Sequence, residues 1–410
     1  MDFLRNKSLT TCTKNLSDVY KNVKIEEEVT EHSFVQGELG NCGMVVAMAS
    51  LAGNKELYKK VVPEGQRLNE GSSNKSPSEF VFNLHKCGKQ TRVSVDQSLT
   101  FFGNCLLYSK SFTGEFSSSL LEKALIKLHF DGNYNKAEGV AASDVFTSFT
   151  NSFFEQDVKE FNGSYIFELH DLISYGVKSK CLMAVVFKEN ISKLNLFAKH
   201  YYTLVGMNEK FVEIYNPHGR KVFLPKTCFF DNVLGFEISY IKNKIYKMPQ
   251  VVTSKEFTGV WSPFGRLQLF SHVVYDLSIE EDHTDVLINL HDIDNSEFFF
   301  GRKIFVVALN ENDEILDKEI SFSLGNLSYR RLFVKKRKYK VVFTAFPWSR
   351  SKLLKLFFKS KTFENNFLIR FAASKYCKIE KSADNSFLKN NFSNTYLLWK
   401  VMFNGIFKSF

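Results

Sequence analysis

Gln36, Cys42, His200 and Asn216 together hold the parts of a nucleophilic acyl-transfer site. A thiol attacks as its thiolate, which a helix N-terminus and a neighbouring imidazolium both favour. Cys42 follows Gly40 and Asn41, a turn and cap pair, and leads into an apolar run from Met44 to Ala52. That pattern predicts a buried helix with Cys42 at its N-terminus. His200 opens a β-rich run and can act as the base. Asn216 ends the facing β-rich run and can hold the imidazole in one tautomer. Gln36 can offer a side-chain N–H to an oxyanion, beside the backbone N–H of Cys42.

Taken singly, a Cys before an apolar run is most often a small core residue, and a lone His in a strand is most often structural. The order Gln, Cys, His, Asn, running from a helical half into a β half, is what points to catalysis.

The elements that must position these residues fall into segments. Residues 1–30 are polar and end in the acidic cluster Glu26, Glu27 and Glu28. Residues 31–155 read as a largely helical region carrying Cys42, with an amphipathic helix at Leu120–Leu128 and a Gly/Ser-rich loop at Gln66–Ser78. Residues 156–246 read as β-rich. His200–Gly206 and Phe211–Tyr215 are β-rich runs with a short polar link, the pattern of a hairpin that returns position 216 towards position 200. Residues 256–375 hold short apolar runs at regular spacing, the pattern of an all-β sandwich. Residues 376–410 form a tail. The fold class expected is therefore α+β, with an all-β region following.

Composition narrows the function. At 44% hydrophobic and 24% charged residues the chain has material for real cores. No apolar run is long enough to cross a bilayer, and the start, MDFLRNKSLT, lacks the apolar core of a signal peptide. Seven widely spaced cysteines without a CxxC argue against a disulfide framework or a zinc site and for a reducing, cytoplasmic setting. The net charge of +10 is concentrated between Ser321 and Phe363, which holds twelve Lys or Arg and no Asp or Glu. The rest of the chain is slightly acidic. Any anionic partner belongs on that segment, around Arg330, Arg331, Lys335, Lys336, Arg337, Lys338 and Lys340. An anionic membrane surface, an acidic protein and a merely solvated sandwich face are all compatible with it. No nucleic-acid recognition motif accompanies the charge, and no nucleic acid is expected as a partner.

The residues also carry a resemblance. Gln36-Gly-Glu-Leu-Gly-Asn-Cys42 resembles the Gln-Gly-x-Leu-Gly-Asp-Cys signature of calpains. Leu57–Gln66 is similar to the segment that follows the calpain nucleophile, and Leu120-Leu-Glu-Lys-Ala124 to a later helix. Lys199–Gly206 resembles the histidine strand, and Asn216-Pro-His-Gly219 resembles Asn-Pro-Trp-Gly. Arg331–Val342 and Asn366–Phe371 look like the end of the C2-like sandwich behind the calpain protease core. The resemblance implies a two-lobed papain-like core, a helical lobe plus a β-rich lobe, followed by a C2-like β-sandwich. It implies Cys42 as nucleophile, His200 as base, Asn216 as orienter and Gln36 in the oxyanion hole. The implied activity is an intracellular cysteine endopeptidase making limited cuts in protein substrates. The alternative is a catalytically inactive calpain-like scaffold binding an acidic partner or membrane through its basic sandwich.

The sequence departs from that pattern at informative places. Gly43 stands where calpains carry Trp after the nucleophile, His218 where they carry Trp in Asn-Pro-Trp-Gly, and Ser117 where a Trp precedes the later helix. The family binds Ca²⁺ through acidic loops in its core. Here the Asp before the nucleophile is Asn41, and no carboxylate lies between Glu213 and Asp231. Hard cations need several oxygen ligands, so at least the second-lobe calcium site is expected to be missing. Calcium stays an open candidate despite the depleted acidic loops, and the sequence identifies no other cofactor. Asp292–Glu297 superficially resembles a calcium loop but lacks the glycine such a loop needs.

Overall fold

The computed structural model describes residues 11–19, 29–66, 79–86, 88–103, 105–112, 115–158, 163–242, 244–248, 250–261, 271–292, 300–309, 315–323, 327–347 and 365–382. In chain order the first region holds β1 (Thr11–Asn15), α1 (Leu16–Val19), α2 (Cys42–Ala52), α3 (Lys55–Val61), β2 (Glu79–Lys86), β3 (Lys89–Asp96), β4 (Ser98–Phe102), β5 (Cys105–Leu106), α4 (Ser117–Phe130) and α5 (Ala142–Thr150). Every residue of α2 from Gly43 to Ala52 is buried. A helix that is apolar all round belongs in a core, and α2 lies against α5 on one side and against the next region's sheet on the other.

The first region is less helical than its sequence pattern predicts. β2 and β3 form an antiparallel hairpin, and β1, β4 and β5 a small three-stranded sheet. The signal was a period of two: Phe80, Phe82 and Leu84, then Val93 and Val95, are buried on one face of the hairpin while their neighbours are more exposed. Polar residues between them obscured it.

The second region holds β6 (Phe154–Val158), α6 (Gly163–Lys178), β7 (Leu182–Phe187), β8 (Tyr201–Met207), β9 (Phe211–Asn216), β10 (Arg220–Pro225), α7 (Lys226–Asn232) and β11 (Val233–Ser239). Its six strands form one antiparallel sheet in the order β10-β9-β8-β7-β11-β6. The central strand β7 is buried on both faces. Leu182 and Ala184 join the core around α2, and Met183, Val185 and Phe187 join a second core. This strand therefore glues the two regions together. Thr203 Oγ1 donates to Val46 O at 3.1 Å, and the Met183 N–H donates to Ser50 Oγ at 3.1 Å. Both bonds end on α2 and keep polar atoms satisfied inside the junction.

The third region holds β12 (Thr253–Trp261), β13 (Ser271–Ile279), β14 (Thr284–Asp292), β15 (Phe300–Leu309), β16 (Ile315–Ser323), β17 (Leu327–Val334), β18 (Arg337–Pro347), β19 (Asn365–Ala373) and β20 (Cys377–Lys381). A four-stranded sheet, β12-β19-β14-β17, faces a five-stranded one, β16-β15-β18-β13-β20. They share a core that includes Tyr275, Ile288, Phe343 and Phe371, the arrangement of an antiparallel sandwich. The sandwich reaches past the expected boundaries, from Thr253 to Lys381, because the start of the predicted tail is the edge strand β20. Polar side chains fix it to the second region. Asn289 pairs both backbone atoms of Phe154, accepting at 2.9 Å and donating at 3.0 Å. Arg331 bonds Glu155 at 2.8 Å, chelates Asp285 and reaches the Tyr246 carbonyl.

Candidate functional site

Cys42 is the first residue of α2. Its loop is pinned from several sides. The Gln36 N–H donates to Pro217 O at 2.8 Å, the Glu38 N–H to Leu107 O at 2.9 Å, and the Gly139 N–H to Gly40 O at 2.9 Å. Asn41 precedes the helix but does not cap it with its side chain. Its Nδ2 instead donates at 2.7 Å to Glu122 Oε1, a carboxylate buried in α4 whose other oxygen accepts from the Ser109 N–H at 2.9 Å. An amide rather than a carboxylate at position 41 is what lets Glu122 stay buried.

Gly43 has a steric reason. A Cβ there would run into the carbonyl oxygen of Val140. The Val140–Ala142 backbone takes the space at the root of any side chain at 43.

Cys42 and the start of β8 are brought together. The backbone of Tyr201, the residue after His200, is close enough to lower the pKa of the Cys42 thiol. Burial raises the thiol above its usual pKa, against backbone hydrogen bonds at Tyr201, Gly43 and Cys42 itself, while the Glu237 carboxylate also raises it. Burial, helped by the neighbouring His218, pushes His200 down to about 4. The resting pair is thus a neutral thiol and a neutral imidazole.

Asn216 and His218 sit at the same end of the sheet as His200. The His218 ring stacks on His200, centroids 5.2 Å apart and planes within 3°. Tyr202 meets the imidazole in a T-shaped contact, centroids 5.2 Å apart. Asn216 does not bond to His200. Its Oδ1 accepts from the His218 N–H at 3.0 Å, and its Nδ2 donates to Asn195 O at 3.3 Å. His200 Nε2 is buried without a partner. Gln36 has its side-chain Nε2 on Leu39 O at 2.7 Å, which leaves that group's second N–H, and its Oε1 is buried without a partner.

One group the sequence reading missed stands behind the site. Glu237 in β11 is buried, and burial raises its carboxyl despite bonds from Tyr201 and Ser143. Oε1 accepts from Tyr201 Oη at 2.6 Å and from Gln156 Nε2 at 3.0 Å, and Oε2 from the Ser143 N–H at 2.6 Å. Ser143 lies in the first turn of α5, so Glu237 ties the residue next to His200 to the first region. The signal was present: a lone carboxylate inside the apolar run Phe236–Ile241.

Asn41 gives its Nδ2 to Glu122 while its Oδ1 is buried without a partner, and Glu213 is bonded at 2.7 Å to the Lys221 ammonium. Among the described residues no three His, Cys, Asp or Glu side chains gather as metal ligands. Residues 293–297 of the calcium-loop-like segment lie outside the described residues.

Among the described residues, part of the basic segment is spent on ion pairs within the fold. Arg331 is enclosed by Glu155 and Asp285, and Lys340 pairs with Asp276 at 2.5 Å. Neither is free to meet a partner. Lys335, Lys336, Arg337 and Lys338 are exposed at the turn between β17 and β18. Beside them lie the exposed Glu280, Glu281 and Asp282, and the Lys336 N–H donates to Asp282 Oδ1 at 2.7 Å. The Arg330 side chain and the cationic residues from Arg350 to Lys361 lie outside the described residues.

A thiol at a helix N-terminus near the start of a strand that follows a histidine, at the junction of a helix-containing region and an antiparallel sheet, is an arrangement compatible with a cysteine protease core. The family model of calpain family cysteine proteases matches residues 6–227, over half of the chain, and the chain belongs to that family. It is 34% identical over 125 residues to calpain-5 of Mus musculus, a match covering 30% of this chain and 19% of that protein. It is 28% identical over 204 residues to calpain-9 of Mus musculus, covering 47% and 29%. It is 36% identical over 127 residues to the calpain-1 catalytic subunit of Rattus norvegicus, covering 31% and 17%. The chain thus spans less than a third of the length of these relatives. Among the described residues no helix is long and apolar enough to cross a membrane.

Proposed function

We propose that this chain is a cysteine endopeptidase that cuts protein substrates through an acyl-enzyme on Cys42, acting in a reducing compartment such as the cytoplasm. The observation that supports the reading is a thiol at the N-terminus of α2 whose pKa feels the Tyr201 backbone, next in the chain to His200, inside a region that matches the calpain protease family. His200 takes the thiol proton as Cys42 Sγ attacks the scissile carbonyl carbon. The oxyanion is held by the backbone N–H of Cys42 and the second N–H of Gln36 Nε2. His200 then gives its proton to the leaving amine as the C–N bond breaks. Water, deprotonated by His200, attacks the thioester, which releases the carboxylic acid and returns the thiol.

Asn216 is proposed as the orienter in the substrate-bound state. In the resting arrangement its Oδ1 is on the His218 N–H and His200 Nε2 is empty. A turn of the Asn216 amide would satisfy both that nitrogen and the tautomer requirement. We read the sandwich as C2-like and its remaining exposed cations as a contact for an acidic protein or anionic membrane. A chain that uses only that surface, without catalysis, is the competing outcome.

The test is hydrolysis of an unfolded protein substrate, with fragments read by mass spectrometry. The reading expects fragments from the wild type and none from Cys42→Ser. Equal fragmentation by both would place the chemistry elsewhere. None from either would favour the non-catalytic outcome.

A further inference from the structure

The two sides of the site meet along a seam. On one side is the 3₁₀ turn Glu31–Ser33 and the loop to Gln36, and on the other the turn from Asn216 to Lys221. The Gln36 N–H to Pro217 O bond crosses it. So does the Phe112 ring, which lies on Gly219, where φ is +92° and a side chain would strike the ring. The third crossing is ionic. Lys221 Nζ lies 2.9 Å from Glu31 Oε1 of the first region and 2.7 Å from Glu213 Oε1 of its own sheet.

The placement is built rather than incidental. In register, Lys221 lies opposite Tyr215 across the β9–β10 pair, and Tyr215 meets His32, the neighbour of Glu31, edge-on at 5.0 Å. The three charged side chains are only 16%, 31% and 27% exposed for Glu31, Lys221 and Glu213, so solvent screens them poorly. Burial works against charge on both Glu31 and Lys221. Their mutual bonds overcome it, holding the Glu31 carboxyl below its usual pKa and the Lys221 ammonium above its own.

Two carboxylates from opposite sides of an active-site seam would together attract a cation. Here the chain supplies its own. We propose that Lys221 is a positioning residue whose ammonium spans Glu31 and Glu213, holds the His200–Asn216 side in register with the Cys42 side, and makes that alignment independent of a divalent cation. This rests on the protease reading above. Glu31 is the leg that crosses the seam. Glu213 only steadies Lys221 within the sheet.

The two legs separate in experiment. Glu31→Gln breaks the crossing and Glu213→Gln leaves it. The readouts are the rate at which an epoxide thiol probe labels Cys42, with EGTA or with millimolar calcium, and the hydrogen exchange of the Gln36 amide. Wild type should label equally in both media. Glu31→Gln and Lys221→Met should label roughly 10-fold or more slowly, because small misplacements of reacting groups are costly, while melting cooperatively. Glu213→Gln should lose less and Lys221→Arg should retain most of the rate. The Gln36 amide should exchange faster in Glu31→Gln than in Glu213→Gln. A Glu31→Gln variant that labels like wild type, or a wild type accelerated several-fold by calcium, would overturn the proposal. If wild type does not label at all, the protease reading falls, and the Gln36 amide alone decides the seam: unchanged exchange in Glu31→Gln would then overturn it.

Discussion

Cys42 and His200 sit in unequal surroundings. Around Cys42, the nucleophile loop is held by backbone bonds to Pro217, Leu107 and Gly139, the preceding Asn41 is locked onto buried Glu122, and the residue behind is a glycine with no room for a side chain. Around His200, one ring nitrogen is buried without a partner, the Asn216 amide is bonded elsewhere, and a second histidine stacks on its face. The Cys42 loop is thus fixed by backbone bonds from both regions. On the proposed reading His200 is the base, and its neighbours still have a rearrangement to make. Catalytic hydrogen bonds often tighten only when substrate is bound, and the contrast places that tightening on the β-sheet side.

The contrast can be broken on its rigid side first. Gly43→Ala should be the most damaging small substitution, because the added Cβ meets main chain and not a movable side chain. A loss of roughly 3 kcal/mol is expected from such overpacking, read as a lower urea midpoint. Asn41→Asp comes next. It would put a second carboxylate 2.7 Å from where Glu122 now accepts a bond, costing about 3 kcal/mol at pH 7 as a buried charge loses its partner. The penalty should shrink as pH falls and the carboxyls protonate, and a pH-independent penalty would contradict the assignment.

The soft side should respond in rate rather than stability. Burial is the larger cause of the low His200 pKa and His218 the smaller; His218→Phe removes only the smaller, so the His200 pKa should rise modestly from about 4. The thiolate–imidazolium form is then favoured, and probe labelling of Cys42 near pH 6 should quicken by about 2- to 5-fold. A slower rate would mean that His218 supports the base instead of weakening it. The smallest effect concerns stability. A histidine held near 4 when folded and near its ordinary value of 6.5 when unfolded binds fewer protons in the native state between those values. Its contribution is therefore lost as pH falls from about 6.5 towards 4. His200→Gln should flatten the fall of melting temperature over that window relative to wild type, a small but signed change.

The same asymmetry governs what the sequence disclosed. The Cys42 side was legible because its determinants are local: a turn at Gly40–Asn41 followed by an apolar run gives α2 and its first residue. The β8–β9 pairing was legible from two β-rich runs and a short link. The hairpin β2–β3 was obscured by its polar alternate positions, though Phe80, Phe82 and Leu84 mark its buried face. The bonds that decide how the base is held were not legible. Asn41 with Glu122, Tyr201 with Glu237, and Lys221 with Glu31 join residues far apart in the chain, and only the packing of one region on another fixes such partners. The basic segment misled for the same reason. Arg331 counts as surface charge in a composition, yet it is spent on Asp285 within the sandwich and on Glu155 of the second region.

The most direct measurement is site-resolved labelling of all seven cysteines by a neutral epoxide probe, in wild type and in His200→Ala, with the modified peptides identified by mass spectrometry. The account predicts that Cys42 labels far faster than the other six and that His200→Ala slows Cys42 alone. Uniform labelling across the cysteines, or Cys42 labelling that ignores His200, would contradict the claim that these two residues form a catalytic pair.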